Sequence, residues 1–286
     1  MPILLATCAA LPGLPADDRY LLTALAARGI AAEPAVWEDS HRRWSEAAGC
    51  VIRSTWDYAY RREQYVAWAE RVGSETRLWN PAAIIRWNTH KRYLLDLAER
   101  GVPTVPTVLL PAGAPCTLDG VLTQYGWDDA VIKAAVAQTG RYAMRVTGAS
   151  LDAAQEHLDR LLPSEDMLLQ PYVRSLPVRG EVSLVFIDGE FTHAVRKLAS
   201  GDDFRVHDDF GGSVRPTRPT RAQRDAAQRA LDAVGEPTLY GRVDLVEDDA
   251  GRPVVMELEL VEPELFFRFS PAAVERLVDA VVRAVA

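Results

Sequence analysis

Residues 240–263 read YGRVDLVEDDAGRPVVMELELVEP, and this stretch decides the fold of the C-terminal part of the chain. Two runs of alternating character flank a central turn, which predicts a β-hairpin. Pairing that is symmetric about the turn puts Asp244 opposite Glu257 and Arg242 opposite Glu259, and directly opposed residues share one face of a sheet. A slip of one residue would bury these charges, so the pattern also predicts the register. The other face is apolar and carries Val243, Leu245, Leu258 and Leu260.

The charged face of this hairpin has two interpretations. One is an ordinary hairpin with a polar, solvated outer face, which is a common arrangement. However, three carboxylates on one small patch repel one another, and a divalent cation would relieve the repulsion. Mg²⁺ prefers oxygen ligands of this type and takes a few carboxylates together with phosphate oxygens. The second interpretation is therefore a magnesium site formed by Asp244, Glu257 and Glu259, with Arg242 beside it to hold a transferring phosphoryl group.

Residues 1–88 alternate between strand-like and helix-like patterns, which predicts a parallel sheet of βαβ type. The predicted elements span residues 3–7, 17–28, 35–38, 50–53, 61–72 and 78–80. Ligands bind beyond the carboxyl ends of the strands in such sheets, so the loop RSTWDY is a candidate substrate site. A polar turn packed over Trp56 is the alternative. The candidate substrate-binding residues of this loop are Arg53, Ser54, Thr55 and Asp57.

The remaining chain divides into two further lobes, which makes the whole an α/β (α+β) protein. Residues 89–168 are predicted to form a small lid lobe, and residues 169–286 a strand-rich C-terminal lobe. The predicted helices span residues 91–100, 151–162, 220–234 and 271–286. The predicted strands span residues 131–134, 167–173, 181–187, 191–197, 240–246 and 253–261. Asp188-Gly189 is a strong signal for a hairpin turn between two of these strands.

The composition restricts the classes of function. A net charge of −8 and a pI near 5.2 argue against a nucleic-acid surface, which needs a basic footprint. The three scattered cysteines have no metal-binding spacing and fit a reduced, cytoplasmic protein. The N-terminal segment lacks the charged start of a signal peptide, and no apolar run reaches membrane-spanning length. The expected partner is a small molecule, and the sequence leaves open whether the chain forms a homodimer.

The chain contains only three lysines, Lys91, Lys133 and Lys197, against twenty-nine arginines. This bias suggests that Arg replaces Lys wherever Arg serves, so that Lys remains where a compact ammonium group is needed. Single phosphate oxygens are such a place, because the planar guanidinium fork needs more room. The alternative is that three surface lysines remain by chance. We take all three as candidate nucleotide ligands.

The order and spacing of the motifs from residue 81 onward resemble the ATP-grasp superfamily, with residues 1–88 in the position of its N-terminal domain. The resemblance implies an ATP-grasp fold that binds ATP and Mg²⁺. Lys91 and Lys133 match the lysines that meet the α- and β-phosphates in this family, and Glu181 matches the acid that binds the ribose. The hinge that reads adenine is matched by Gln170, Pro171, Tyr172 and Val173.

A second group of motifs matches the family's residues near the γ-phosphate and the substrate. The loop that approaches them is matched by Lys197, Arg205 and Gly211-Gly212, and the Arg-x-Asp strand by Arg242 and Asp244. By the same resemblance, Lys197, Arg205 and Arg242 are the candidate catalytic residues and Gly212 a candidate substrate-binding residue. The acidic pair of the magnesium site is matched by Glu257 and Glu259, although the last position is often Asn in the family.

The chemistry implied by this resemblance is carboxylate activation, in which ATP phosphorylates a carboxylate and a nitrogen nucleophile attacks the acyl phosphate. The segments RSTWDY, RWNTHKRYL, HAVRK and ELELVEPELFF are similar to a cyclo-ligase subgroup of antibiotic biosynthesis that closes O-ureido-D-serine onto its own carboxyl group, giving D-cycloserine. An intermolecular amide or peptide ligase is the alternative within the class. An ATP-grasp kinase, or a nucleotide-binding protein without ligase activity, is the alternative outside it.

Overall fold

The computed structural model describes residues 1–138, 140–198 and 212–285, and within these residues the chain forms three β-sheets. The first sheet contains four parallel strands in the order β2-β1-β3-β4, which confirms the predicted βαβ sheet. The strands are β1 (Ile3–Thr7), β2 (Ala32–Val36), β3 (Gly49–Ser54) and β4 (Leu78–Trp79). The helices of this part are α1 (Arg19–Ala27) and α2 (Arg62–Glu75).

Strand β2 begins and ends earlier in the sequence than predicted. Its pairing with β1 sets its position, because Ala32 lies opposite Ile3 and Val36 opposite Thr7. As the edge strand, β2 tolerates Pro34, which lacks an N–H group for a second neighbour. Residues 35 and 36 of the strand predicted at 35–38 therefore lie in β2, and residues 37 and 38 do not.

The connection to the second sheet contains a helix that the sequence pattern did not predict, α3 (Ala82–Asn88). The helix predicted from residue 91 is α4 (Tyr93–Glu99), so it begins two residues later. Lys91 lies in the turn before α4, where its backbone N–H donates to the Ala135 carbonyl at 2.7 Å. This hydrogen bond joins the turn to the segment that directly follows Lys133 and its strand.

The second sheet is antiparallel and has the strand order β5-β8-β6-β7. Its strands are β5 (Val108–Leu110), β6 (Asp129–Ala134), β7 (Met144–Thr147) and β8 (Met167–Pro171), with helices α5 (Leu118–Tyr125) and α6 (Leu151–Leu161). The sequence did not predict β5, α5 or β7, and the two strands are too short to show a period. The lobe boundary predicted at residue 168 falls inside β8.

The third sheet is antiparallel and has the order β11-β10-β9-β12-β13. Its strands are β9 (Glu181–Ile187), β10 (Glu190–Leu198), β11 (Ser213–Thr217), β12 (Tyr240–Glu247) and β13 (Pro253–Glu259). The helices are α7 (Leu176–Arg179), α8 (Arg221–Asp232) and α9 (Pro271–Val285). Thr220 caps α8 in a reciprocal capping box with Gln223, as the sequence suggests. None of the helices in the described part of the chain has the length and apolar character needed to cross a bilayer.

The structure confirms the predicted register of the hairpin β12–β13. Asp244 pairs with Glu257 and Arg242 with Glu259. The register shifts between Asp244 and Leu245, on the turn side of both charged pairs. The shift therefore leaves the charged residues on one face. The opposite face packs into a core with α8 and consists of Val243, Leu245, Leu258 and Leu260.

The outer edge of β13 is covered by the chain that joins the first two sheets. Val255 donates to the Pro103 carbonyl and accepts from the Val105 N–H, both at 2.9 Å. The Leu258 N–H donates to the Tyr93 hydroxyl at 3.1 Å. The side-chain amide of Asn88 donates to the Leu258 carbonyl at 2.8 Å, and its oxygen accepts from the Leu260 N–H at 2.7 Å.

Candidate active site

A cavity of about 450 Å³ lies between the second sheet, the third sheet and the loop after β3. One end is strongly charged, because all three lysines of the chain and Arg242 line it together with Glu257 and Glu259. The other end is more apolar, and its lining includes Val131, Pro171, Tyr172, Val173, Leu176 and Met256. A cavity with an apolar half and a few convergent charges is typical of a small-molecule site.

Lys91 and Lys133 both contact Glu257. The ammonium group of Lys91 lies 2.8 Å from Glu257 Oε2, and that of Lys133 lies 3.3 Å from Oε1. Lys133 faces the cavity because β6 alternates, so that Ile132 and Ala134 point into the core of the lid. Burial would raise the pKa of Glu257, but the two ammonium groups outweigh it and hold that pKa well below its usual range.

The pKa values of these two lysines shift in opposite directions. At Lys91, burial alone would lower the pKa, but the closer carboxylate of Glu257 dominates and raises it. At Lys133, burial and repulsion from Lys91 outweigh the more distant carboxylate, and its pKa is lowered. Two ammonium groups therefore share one carboxylate, which leaves positive charge available to an anionic ligand.

Lys197 is held between two buried acids. Its ammonium group lies 2.9 Å from Glu181 Oε1 and 3.2 Å from Asp244 Oδ2. Lys197 and Glu181 are paired residues of β10 and β9, so the strand register brings them together. Gly180 permits this arrangement, since its φ is +68° and a Cβ there would lie 2.1 Å from the Lys197 carbonyl oxygen. Burial, opposed by Lys197, raises the pKa of Glu181 to about 7.

Arg242 is held by hydrogen bonds to three residues, Asp244, Glu259 and Glu264. Its Nε and Nη2 atoms each lie 2.9 Å from a different oxygen of Asp244, and Nη2 also lies 2.5 Å from Glu259 Oε1. Its Nη1 atom donates to the Glu264 carbonyl at 3.1 Å. A guanidinium group held in this way is rigid, and it presents its charge to the cavity without reorganisation.

Asp244 is itself almost completely buried, at 2% exposure, and its side chain binds Arg242 and Lys197. Burial would raise its pKa, but these two cations outweigh burial and lower it strongly. In contrast, Glu257 and Glu259 face the cavity. Among the described residues, no three Asp, Glu, His or Cys side chains form a group that could hold a metal ion. Two carboxylates that face the cavity nevertheless fit Mg²⁺, which takes one or two carboxylates plus phosphate oxygens.

The four predicted hinge residues, Gln170, Pro171, Tyr172 and Val173, line the cavity. The structure fixes this segment at both ends. The Gln170 side chain donates to the Thr107 hydroxyl at 2.8 Å, and the Tyr172 N–H donates to the Asp129 carbonyl at 2.9 Å. Arg145 stacks on the Tyr172 ring, with its guanidinium carbon 3.8 Å from the ring centroid.

The predicted substrate loop reaches the cavity through residues other than those predicted. Arg53 is paired with Asp18 at 2.9 Å and donates to the Pro263 carbonyl at 2.7 Å. Ser54 bonds to Thr7, Thr55 to Tyr65 and Asp57 to Trp37, each at 2.8 Å. The loop residues on the cavity lining are Trp56 and Tyr58. Gly212 directly precedes β11, whose Val214 lines the cavity, while Arg205 and Gly211 lie outside the described residues.

The sequence reasoning missed several polar residues of the cavity, among them Gln138, Arg141 and Glu262. Gln138 and Arg141 belong to the loop between β6 and β7, and Glu262 follows β13. Gln138 donates to Glu262 Oε1 at 2.9 Å, which joins the lid to the C-terminal part of the chain. Glu262 stands in the acidic segment quoted at the outset, but Leu260 and Val261 break the alternation before it, so it does not belong to the charged face that the pattern predicts.

Comparisons with known proteins are consistent with this geometry. The ATP-grasp ligase PsnB, solved with a phosphomimetic precursor variant, Mg and ADP, superposes with a TM-score of 0.69 at 15% identity, over 99% of this chain and 98% of that chain. This likeness shows that the chain has the ATP-grasp fold. The model of the D-cycloserine synthetase DcsG N-terminal domain matches residues 3–80.

The similarity to one known protein extends over almost the whole chain. The cycloserine biosynthesis protein DcsG of Streptomyces lavendulae is 34% identical over 278 residues, covering 92% of each chain. The crystal structure of D-cycloserine synthetase DcsG superposes with a TM-score of 0.90 at 34% identity and full coverage of both chains. The chain belongs to the D-cycloserine synthetase family and is an enzyme of the ligase class.

Proposed function

We propose that this enzyme is an ATP- and Mg²⁺-dependent cyclo-ligase that converts O-ureido-D-serine to D-cycloserine. The observation that carries the proposal is the convergence of Lys91, Lys133, Lys197 and Arg242 on one cavity in a member of this family. ATP phosphorylates the carboxylate, because a carboxylate is a poor electrophile and phosphate provides a leaving group. The ureido nitrogen bonded to oxygen then attacks, phosphate leaves, and removal of the carbamoyl group with water releases carbon dioxide and ammonia.

The nucleotide-binding residues proposed here divide along the length of the cavity. Adenine occupies the apolar end against residues 170–173, and the ribose hydroxyls bind Glu181. Lys91 and Lys133 meet the phosphates, which replace Glu257 as their counter-ion. Glu257 and Glu259 hold Mg²⁺, with Asp244 behind them. Mg²⁺ bound there would neutralise charge on the transferring phosphoryl group.

The catalytic roles proposed here belong to Arg242, Lys197 and Arg205. Arg242 stabilises the transferring phosphoryl group or the oxyanion on the carbonyl carbon, since its guanidinium is already oriented by Asp244 and Glu259. On the substrate side, the loop after β3 presents Trp56 and Tyr58 to the cavity. This loop is supported by Arg53, Ser54, Thr55 and Asp57, and Gly212 borders the same region. The free thiols of Cys8, Cys50 and Cys116 fit a cytoplasmic enzyme.

Product analysis tests the proposal. The protein is incubated with ATP, Mg²⁺ and O-ureido-D-serine, and the expected products are D-cycloserine, ADP, phosphate, carbon dioxide and ammonia. A new linear amide formed only when a second amino acid is added would indicate the intermolecular ligase instead. A phosphorylated hydroxyl or amine would indicate a kinase. ATP binding without turnover over a panel of small amino acids and their ureido derivatives would indicate a nucleotide-binding protein.

A further inference from the structure

Glu262 differs from the other acids of the cavity in its partners. Four of the five acids on the lining are paired with cations of the protein: Glu181 with Lys197, Glu257 with Lys91 and Lys133, Glu259 with Arg242, and Glu264 with Arg268. Within residues 1–138, 140–198 and 212–285, Glu262 has no Lys, Arg or His within ion-pair distance; its side chain accepts a hydrogen bond from Gln138. Glu262 is half-buried on the cavity wall and lacks the counter-charge that acids in such positions normally have.

Gln138 gives a second, independent observation at the same place. Its Nε2 atom donates to Glu262 Oε1 at 2.9 Å and to the Thr55 carbonyl at 3.4 Å. Its Oε1 atom is buried and has no hydrogen-bond partner among the described residues. Buried carbonyl oxygens are normally satisfied, so an acceptor left open beside an unpaired carboxylate indicates a missing donor. A group rich in N–H bonds would satisfy both.

Aromatic side chains form the adjoining wall. The Trp56 indole N–H donates to the Glu262 backbone carbonyl at 3.0 Å, which fixes the loop after β3 against this segment. Trp56 and Tyr58 both line the cavity, and ring faces attract cations. The surroundings therefore combine one carboxylate, one amide oxygen and aromatic surface, the chemistry that recognises an ammonium group.

We infer that Glu262, Gln138 and the Trp56–Tyr58 wall form a subsite for the α-ammonium group of the amino-acid substrate. The inference rests on the proposed function, since it places the amine of an amino-acid substrate next to the charged end where its carboxylate is activated. Burial and repulsion from Glu259 raise the pKa of Glu262 to about 8 and outweigh the hydrogen bond from Gln138 and the more distant charges of Lys91 and Arg242, so a bound cation would stabilise its charged form. Gln138 belongs to the lid, and its contact links amine recognition to the position of the lid loop.

The test compares two ligands that differ only in the amine, O-ureido-D-serine and 3-(ureidooxy)propanoic acid. The variants are Glu262→Gln, Glu262→Asp and Gln138→Ala. The control Glu247→Gln removes the same charge at the end of β12, where Glu247 pairs with Arg179 outside the cavity. Steady-state ADP release is measured for both ligands, and calorimetric binding is measured with a non-hydrolysable ATP analogue and Mg²⁺.

We expect the wild-type protein and Glu247→Gln to prefer the amine-bearing ligand by about a hundredfold or more, the scale for a buried charge pair. In Glu262→Gln this preference should fall below about tenfold, while the KM for ATP stays within about twofold. Glu262→Asp should retain part of the preference, and Gln138→Ala should weaken binding of the amine-bearing ligand more than that of its analogue. Should Glu262→Gln fail to fold, the aspartate and Gln138 variants decide by the same comparison.

The outcomes separate this inference from the proposed function. Unchanged preference in Glu262→Gln, or equal binding of both ligands by the wild-type protein, would overturn the subsite whatever the reaction is. Selective binding of the amine that depends on Glu262, without formation of D-cycloserine, would support the subsite and remove the cyclo-ligase assignment. If the wild-type protein binds neither ligand, both are withdrawn.

Discussion

The ion pair between Lys91 and Glu257 joins the turn before α4 to the edge strand of the third sheet across 2.8 Å. The acid proposed to hold magnesium is thus also the counter-ion of a lysine proposed to bind phosphate. Lys133 completes the arrangement at the other carboxylate oxygen. Buried charges require partners, and here Glu257 and the two lysines neutralise one another. Perturbing any member of this trio should therefore affect the other two.

Replacement of Lys133 by Arg should be nearly as damaging as replacement by Ala. The ammonium group lies 3.3 Å from Glu257 in a confined position, and the planar guanidinium fork would displace the charge from single phosphate oxygens. Steady-state kinetics with varied ATP measure the effect on KM and kcat. A fully active Lys133→Arg enzyme would contradict the explanation given for the three remaining lysines. Arg221→Lys, at an exposed pair with Asp225 on α8, serves as the reverse control and should stay active.

Glu257→Gln should abolish turnover at limiting Mg²⁺ while the protein stays folded. The side chain faces the cavity rather than the core, so removing its charge costs little packing. Activity is measured over a titration of Mg²⁺, with circular dichroism as the check on folding. Partial recovery at high Mg²⁺ is expected, because a weakened site still fills by mass action. Near-normal activity at limiting Mg²⁺ would show that the metal assignment is wrong.

Asp244→Asn should also abolish turnover, and the same titration identifies the reason. If Asp244 ligates the metal, high Mg²⁺ restores part of the activity as it does for Glu257→Gln. If it acts by holding Arg242 and Lys197, both of which contact it here, activity stays low at every Mg²⁺ concentration. Removing one partner from a buried ion pair also destabilises a protein by about 3–5 kcal/mol, so the melting temperature should fall in either case and the Mg²⁺ titration makes the distinction.

Arg242→Met should reduce turnover by roughly a hundredfold or more, the scale for losing one preorganised charge partner. ATP affinity should change little, since adenine and ribose are proposed to bind elsewhere. Hydroxylamine added to the wild-type reaction should trap a hydroxamate of the substrate carboxyl group, and trapping should fall in step with ADP release in the variant. A phosphorylated hydroxyl or amine without any hydroxamate would require withdrawal of the ligase mechanism.

Asn80→Ala should lower the free energy of unfolding by about 2–4 kcal/mol, because it leaves buried backbone groups unpaired. The Asn80 side chain donates to the carbonyls of Tyr240 and Leu260 at 3.0 and 2.7 Å and accepts from the Leu239 N–H at 2.8 Å. Urea titration measures the change. Gln228→Ala on the exposed face of α8 removes one side-chain contact to Asp232 and should shift stability by less than about 0.5 kcal/mol.

The elements that the sequence revealed are those with a clear period or clear ends. β1 and β9 match their predicted bounds, since the first is an apolar run that ends at Thr7 and the second ends at the Asp188-Gly189 turn. The hairpin β12–β13 was predicted down to its register because only one pairing keeps its charges together. β5 has three residues and β7 has four. Their extended conformation depends on pairing with β8 and β6, respectively. No local pattern carries that information.

The charged end of the cavity was accessible from the sequence for a similar reason. Arg242, Asp244, Glu257 and Glu259 lie on neighbouring strands, and a rare residue type marked the three lysines. Gln138 and Glu262 are 124 positions apart, and only the fold brings them together. Arg53 illustrates the opposite case. Its position at a strand end suggested substrate binding, but the buried Asp18 lies within hydrogen-bond distance, a contact 35 positions away in the sequence. The lobe boundaries at residues 88 and 168 stay predictions.

The covered edge of β13 also affects whether two copies of the chain can pair edge to edge. An open strand edge is a template for pairing with another chain, and β13 ends the third sheet. The outward backbone groups of this edge instead form hydrogen bonds with the preceding part of the chain. Those of Val255 pair with Pro103 and Val105, and those of Leu258 and Leu260 pair with Tyr93 and Asn88. Two of these partners are side chains, so this border is closed without a regular sixth strand. The outer edge of the strand that carries Glu257 and Glu259 is therefore protected from pairing with another chain and from the aggregation that such pairing would start.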